Sequence, residues 1–259
     1  SVCEGSEEIY SISPVSGATS YTWSLPSGWT GSSTTTSITA TAGSTGGTIS
    51  VTADNTCGSS SASTLNVSSA TIPADPTVGT ITQPSCAVPT GSVILSGLPD
   101  PWTLTRTPGG TVYSGTGTST TISSLEDGTY TFTVTNSGGC ISGASDDVVI
   151  NDMPVITDQN EISVLEDNSL TITTSHLIIE DSDNTPGEMT VFVGAGTNYT
   201  VSGDNTITPS LDFFGTLTVF ITVSDGISTS CIFDATVTVL PFNDPPVVSD
   251  IPDQTIAEG

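Results

Sequence analysis

The residues of this chain that could do chemistry are almost all oxygen donors. It carries 27 Asp and Glu against one Lys or Arg, Arg106, and one histidine, His176. The acids are unevenly spread: 4 fall in residues 1–70, 7 in 71–152 and 16 in 153–259. Hard carboxylate and amide oxygens of this kind suit calcium, which takes six to eight oxygens at roughly 2.3–2.6 Å. The alternative is a solvated acidic surface that keeps the chain soluble. Other chemistries lack their parts. A Ser-His-Asp triad needs a base beside its nucleophile; His176 stands alone in Thr173-Thr174-Ser175-His176-Leu177, and no nucleophile-elbow phrase occurs. There is no CxxC pair for zinc, and no lysine for a phosphate loop or a Lys–Asn isopeptide cross-link. Carboxylates are plentiful enough for a glycosidase pair, but the domains read below are too small and uniform to suggest a dedicated cleft. The expectation is a chain that is not an enzyme.

The formal net charge of -26 excludes nucleic acid, whose phosphates need Lys and Arg partners, and argues against an anionic membrane surface. No run approaches the ~18 apolar residues of a spanning helix, so no membrane insertion is expected in this segment. One cation cannot support a network of salt bridges, so clustered carboxylates repel unless cations neutralise them.

The elements that must position these residues are strands. Helical periodicity is nearly absent, and apolar residues alternate with Thr and Ser: Tyr130, Phe132 and Val134; Leu217, Val219, Ile221 and Val223; Phe233, Ala235, Val237 and Val239. Turns containing glycine separate the runs. The fold class expected is all-β, as tandem antiparallel sandwiches arranged as beads on a string, which the resemblances given below make Ig-like and cadherin-like. Proline clusters mark the joints, and Asn-Asp-x-Pro-Val-(Ile/Val) recurs at Asn151 and Asn243, an internal repeat of a linker. The boundaries read this way are 1–70, 71–152, 153–242 and, as the linker and first strand of an incomplete further domain, 243–259. The natural chain is expected to continue beyond Gly259.

Five cysteines, an odd number, prevent complete intrachain pairing. Cys3 and Cys57 bracket the first domain, and Cys86 and Cys140 the second, so one staple in each with Cys231 free is the expectation. Five reduced cysteines packed as small hydrophobes are the alternative, because spacing cannot settle connectivity.

Resemblances add to this reading. Val2-Cys3-Glu4-Gly5-Ser6, Tyr21-Thr22-Trp23, Pro26-Ser27-Gly28-Trp29 and Asp54-Asn55-Thr56-Cys57-Gly58 resemble the PKD-like, Ig-like domains of surface and secreted proteins in Bacteroidetes-type bacteria. Tyr21 and Trp23 share a strand face and read as core. Trp29 follows a turn, is expected to be exposed, and is the candidate carbohydrate-binding residue. Val78-Gly79-Thr80-Ile81-Thr82, Gly97-Leu98-Pro99 and Leu125-Glu126-Asp127-Gly128 are similar to repeats of large gliding adhesins, with Trp102 a core residue at a strand start. Leu165-Glu166-Asp167, Asp181-Ser182-Asp183-Asn184, Ser210-Leu211-Asp212-Phe213, Asp225-Gly226 and Asn243-Asp244-Pro245-Pro246 resemble cadherin-like domains of bacterial adhesins. Pro241 stands where that family's linker usually has an Asp.

The cadherin-like resemblance implies calcium. Asn151, Asp152, Asp181, Asp183 and Asp225 would converge where the second domain meets the third, and Glu166, Asp212, Asn243 and Asp244 at the far end. The function implied is a non-catalytic extracellular adhesin or stalk, cell-surface or secreted, with calcium-stiffened junctions and an unidentified surface, glycan or protein ligand. Two other readings stand beside it: a spacer or carbohydrate-binding region of a large secreted polysaccharide hydrolase, and a self-associating surface filament.

Overall fold

The computed structural model describes residues 1–243. They are strands joined by turns, with two single-turn 3-10 helices, Thr174–His176 and Pro186–Glu188. The chain divides into two compact units. One comprises Ser1–Gln83 and Thr90–Ile150; the other comprises Pro84–Pro89 and the chain from Asn151 onwards.

The first unit holds two cores. In the first, Glu7–Ser11 pairs with Ser37–Thr41, while Gly47–Asn55 pairs with Ser20–Ser24 on one side and with Gly58–Ser59 and Ser63–Val67 on the other. Trp29, Ala40, Ala42 and Ile49 pack between these sheets, with Tyr10, Trp23 and Leu25 against them. In the second, Gly91–Ser96 lies between Thr77–Thr82 and Ser119–Leu125. The facing sheet runs Val112–Gly115, Trp102–Thr107, Gly128–Asn136, Val148–Ile150. The expected alternation holds: Tyr130, Phe132 and Val134 point inward, against Leu104, Leu95 and Val93. Burying one such side chain contributes about 1.5–3 kcal/mol. The Tyr130 hydroxyl donates back to the Glu126 carbonyl at 3.1 Å, the tyrosine corner of Ig-like sandwiches. Trp102 opens its strand and is buried. Its ring fits because Gly115 has no Cβ; one built there would lie 2.4 Å from the indole.

In the second unit, Gly215–Ser224 pairs with Phe233–Leu240 and Thr190–Val193. Ser163–Leu165 joins in parallel beside Phe233–Leu240. The inward faces are those expected, Leu217 to Val223 and Ala235 to Val239 at alternate positions, packed with Ile172 and Ile207. Both units end a long strand by the same device. Ser145 and Ser142 accept the N–H groups of Phe132 and Val134 through their hydroxyls while their own N–H groups donate back to the same residues. Ser230 does this to Val223. A serine thus completes the ladder where no neighbouring strand is available, which is why these serines are buried yet satisfied.

The cysteine pairing differs from expectation. Cys3 bonds Cys140, and Cys86 bonds Cys231, leaving Cys57 free and exposed. Neither Cys3–Cys57 nor Cys86–Cys140 forms. The reason lies in register. Val2–Cys3 pairs in parallel with Ser69–Ala70, Cys3 opposite Ala70. The loop carrying Cys140 is seated against that residue, its Sγ 3.6 Å from the Ala70 carbonyl. Cys57 sits in the tight turn between Gly47–Asn55 and Gly58–Ser59, with its N–H bound to the Asn55 side chain. Cys86 lies in Pro84–Pro89, which leaves its hairpin and belongs to the second unit, as does Cys231.

Trp29 is also a correction. It is 6% exposed, because the Pro26-Ser27-Gly28 turn closes on itself (Trp29 N–H to Pro26 O, 3.1 Å) and drives the ring inward. The indole N–H donates to the Thr45 carbonyl at 2.8 Å, and the ring lies tilted against Tyr10. A buried, satisfied indole offers no platform for a sugar.

Candidate cation site

Four acids of the second unit, Asp152, Asp181, Asp183 and Asp225, gather around Asn151. Asn151 is 4% exposed. Its side-chain amide donates to Asp225 Oδ2 at 2.6 Å and Ser228 Oγ at 3.1 Å, and also to the Asp152 carbonyl. The Asp152 N–H donates to Asp183 Oδ2 at 2.7 Å, and Asp152 Oδ2 accepts from the Ser182 N–H at 2.8 Å. Asp181 Oδ1 accepts the N–H groups of Asp183 and Asn184 at 2.9 and 2.6 Å. Asp225 Oδ1 accepts those of Ile227 and Ser228, both at 2.7 Å. The local folding is written in these types: Asp followed by Ser, Gly or Asn makes side-chain-to-backbone turns of this kind.

The electrostatics are strained at one atom. Asp181 Oδ2 is buried and has no hydrogen-bond partner. Burial, joined by the charges of Asp152 and Asp225, raises the Asp181 pKa above the usual aspartate value despite its two N–H donors. Asp225 goes the other way. Burial works against its charge, but the Ser228 and Ile227 N–H groups, the Asn151 amide and the Ser228 hydroxyl outweigh it and hold its pKa down. The cluster thus combines a well-held carboxylate, Asp225, with an uncompensated one, Asp181.

Calcium would find the right donor types here, and Asp181 Oδ2 is an orphaned oxygen of the kind that a cation satisfies. Among the described residues, however, no three His, Cys, Asp or Glu side chains are already disposed to hold a metal ion. The reason is visible in the hydrogen bonds: most of these oxygens face backbone N–H groups.

The second expected set is not assembled in this way. Glu166 is 5% exposed, and its Oε1 accepts the Phe242 N–H at 2.5 Å. Asp212 is exposed, has a positive φ of 58°, and donates its N–H to Asp167 Oδ1 at 3.3 Å. Asn243 is exposed, and Asp244 lies outside the described residues. Four members of the site escaped the sequence reading. Ser182, Asn184 and Ile227 enter through their backbone N–H groups, and Ser228 through its hydroxyl and N–H. A serine three residues after Asp225 is a signal, but a common one. His176, the last residue of the Thr174–His176 helical turn, accepts the Thr173 N–H at Nδ1.

Comparison with known families fits this layout. Residues 1–67 match the model of the PKD-like domain, and residues 150–240 that of the cadherin-like domain. The chain is a tandem all-β protein in which these two stretches are similar to PKD-like and cadherin-like domains. No curated protein matches it. Among solved structures, Sidekick-1 immunoglobulin domains 1–4 match at 14% identity over 92% of this chain and 73% of that one, with a TM-score of 0.31. A C-terminal fragment of intimin, solved with the intimin-binding domain of its translocated receptor, matches at 14% identity over 62% and 64%, TM-score 0.39. The Bacteroides ovatus SGBP-B of a mixed-linkage glucan utilization locus, solved with a heptasaccharide, matches at 12% over 92% and 65%, TM-score 0.24. The chain thus spans just under two thirds of the last two. Among the described residues no helix is long and apolar enough to cross a membrane.

Proposed function

We propose that this chain is a non-catalytic segment of an extracellular adhesin or stalk, and that a calcium ion held by the Asn151, Asp152, Asp181, Asp183 and Asp225 cluster stiffens it where the chain enters its cadherin-like module. The observation that carries the cation is the buried, partnerless Asp181 Oδ2 amid mutually repelling carboxylates. In that role Asp181, Asp183 and Asp152 would supply charged oxygens. Asp225 would be kept ionised by Ser228 and Asn151, and Asn151 would fix the backbone. Calcium would neutralise the repulsion and favour one local conformation. The PKD-like and cadherin-like modules and the two disulfides, which persist in oxidising compartments, support the extracellular reading. The ligand of the adhesin is a surface, glycan or protein that no residue here identifies, and Trp29, being buried, no longer argues for a glycan.

The test is thermal unfolding and small-angle scattering in EDTA and in millimolar calcium. Extracellular calcium sites bind at about 10⁻⁴–10⁻³ M. A tenfold excess over the dissociation constant then adds about 1.4 kcal/mol, a rise of several degrees in Tm, with a stiffer particle. An Asp181→Ala/Asp183→Ala variant should lose both responses. Unchanged melting and scattering in the wild type would reduce the acids to a solvated surface.

A further inference from the structure

The two disulfides interlace: Cys3–Cys140 and Cys86–Cys231 overlap in sequence, with separations of 137 and 145. Each bond merges two points of the chain into one covalent node. Between the node Cys3/Cys140 and the node Cys86/Cys231 run three stretches of backbone: residues 3–86, 86–140 and 140–231. We infer that residues 3–231 form a three-armed covalent tether, in which all three arms join the same two nodes and any two can be cut without parting the ends. The use of such a tether in a stalk rests on the function proposed above; the covalent network does not.

Two consequences follow from chain length alone. A load applied to Ser1 and Gly259 runs through the shortest arm, Cys86 to Cys140, which has 54 peptide steps; the others have 83 and 91. With two steps before Cys3 and 28 after Cys231, 84 of the chain's 258 steps remain in the taut path. At about 3.5 Å per step, full extension is about 300 Å instead of about 900 Å. The first and third arms stay slack, and the third, residues 140–231, contains every member of the candidate cation site. Calcium at that site would therefore change bending stiffness and leave the maximum extension unaltered. The second consequence concerns cleavage. An extracellular chain exposed to proteases would keep its ends joined after a cut in any two different arms.

The sequence supplies sharp reagents for the test. It has two methionines, Met153 and Met189, and one basic residue, Arg106. Cyanogen bromide followed by trypsin on the denatured, unreduced chain should release residues 154–189 alone. Residues 1–106, 107–153 and 190–259 should stay together until a reductant is added. Release of 190–259 before reduction, as Cys3–Cys57 with Cys86–Cys140 pairing would give, overturns the inference. Single-molecule stretching of the whole chain gives the second readout. The expected contour is about 300 Å, rising to about 420 Å in Cys86→Ser/Cys231→Ser, where 121 steps remain taut. A wild-type contour of about 530 Å, the value for pairing within each of the first two domains, or of about 900 Å for no cross-link, overturns it. These lengths report only covalent connection, so they stand or fall apart from the calcium response that tests the stalk reading.

Discussion

Two chain junctions in this protein are built on opposite principles. The one around residue 70 is neutral and closed by direct bonds. Cys3 is joined to Cys140, and the Asn136 side chain donates to the Thr71 carbonyl at 2.8 Å while accepting the N–H groups of Gly138 and Cys140, both at 3.0 Å. Ser1 Oγ adds a bond to the Gly138 carbonyl, and a Cβ on Gly138 would lie 2.5 Å from that of Ala70, so only glycine permits the approach. At residue 151, by contrast, a buried amide holds Asp225 near Asp152 and Asp181, carboxylates that repel one another, and one Asp181 oxygen is left without a partner. The first needs nothing from solution. Under the proposed function a cation would complete the second, which would make it the place where ionic conditions act on the protein.

Breaking the first junction should have the largest effect. Cys140→Ser, read by urea denaturation, should cost about 2–5 kcal/mol, by the same amount in EDTA and in calcium. A loss that calcium restores would erase the distinction between the two junctions. Next comes Asn151→Ala, which strips Asp225 and Ser228 of a buried donor and should cost about 1–3 kcal/mol, with a weaker calcium response in a melting titration.

Asp181→Asn sharpens the contrast by its sign. Because the Asp181 pKa is raised on folding, its charge opposes the folded state at neutral pH, and that penalty is relieved as pH falls through the raised value. The variant should therefore melt a few degrees higher than wild type in EDTA, yet gain nothing from calcium. A lower melting point in EDTA would show that the carboxylate is not uncompensated. The smallest effect is expected at Asp54, away from both junctions. The hydroxyls of Ser59 and Thr22 hold its pKa down, Thr22 Oγ1 donating at 2.7 Å. A depressed pKa contributes stability above the unfolded value of 3.8 and loses it as pH falls through the folded one. Thr22→Val should therefore slightly lower stability at neutral pH and flatten the acid limb of a melting-versus-pH curve below about pH 4, where variant and wild type converge.

How much of this was legible follows from the range of each interaction. The alternation that puts Phe132, Leu217 and Val237 inside is a property of a few consecutive residues, and a strand with one buried face enforces it. The candidate cation site was legible because its members sit in short phrases, Asp181-Ser182-Asp183-Asn184 and Asp225-Gly226, that fold locally into carboxylate-bearing turns. Trp29 was misjudged since a turn residue reads as exposed unless the space opposite is known. Ala40, Ala42 and Gly43 leave that space, and nothing in their own neighbourhood announces it.

By itself, then, the sequence determined an all-β chain with no lysine, strands of known inward face, and acids concentrated after residue 152. These depend on composition and on contacts between near neighbours. Only the tertiary structure decided which cysteines bond, that Trp29 is core, and which aspartate oxygen is left without a partner. Those depend on residues 137 or 145 positions apart being brought together, as in Cys3–Cys140 and Cys86–Cys231. Chain register, here Cys3 opposite Ala70, sets such meetings, and register is a property of the folded sheet and not of either segment alone.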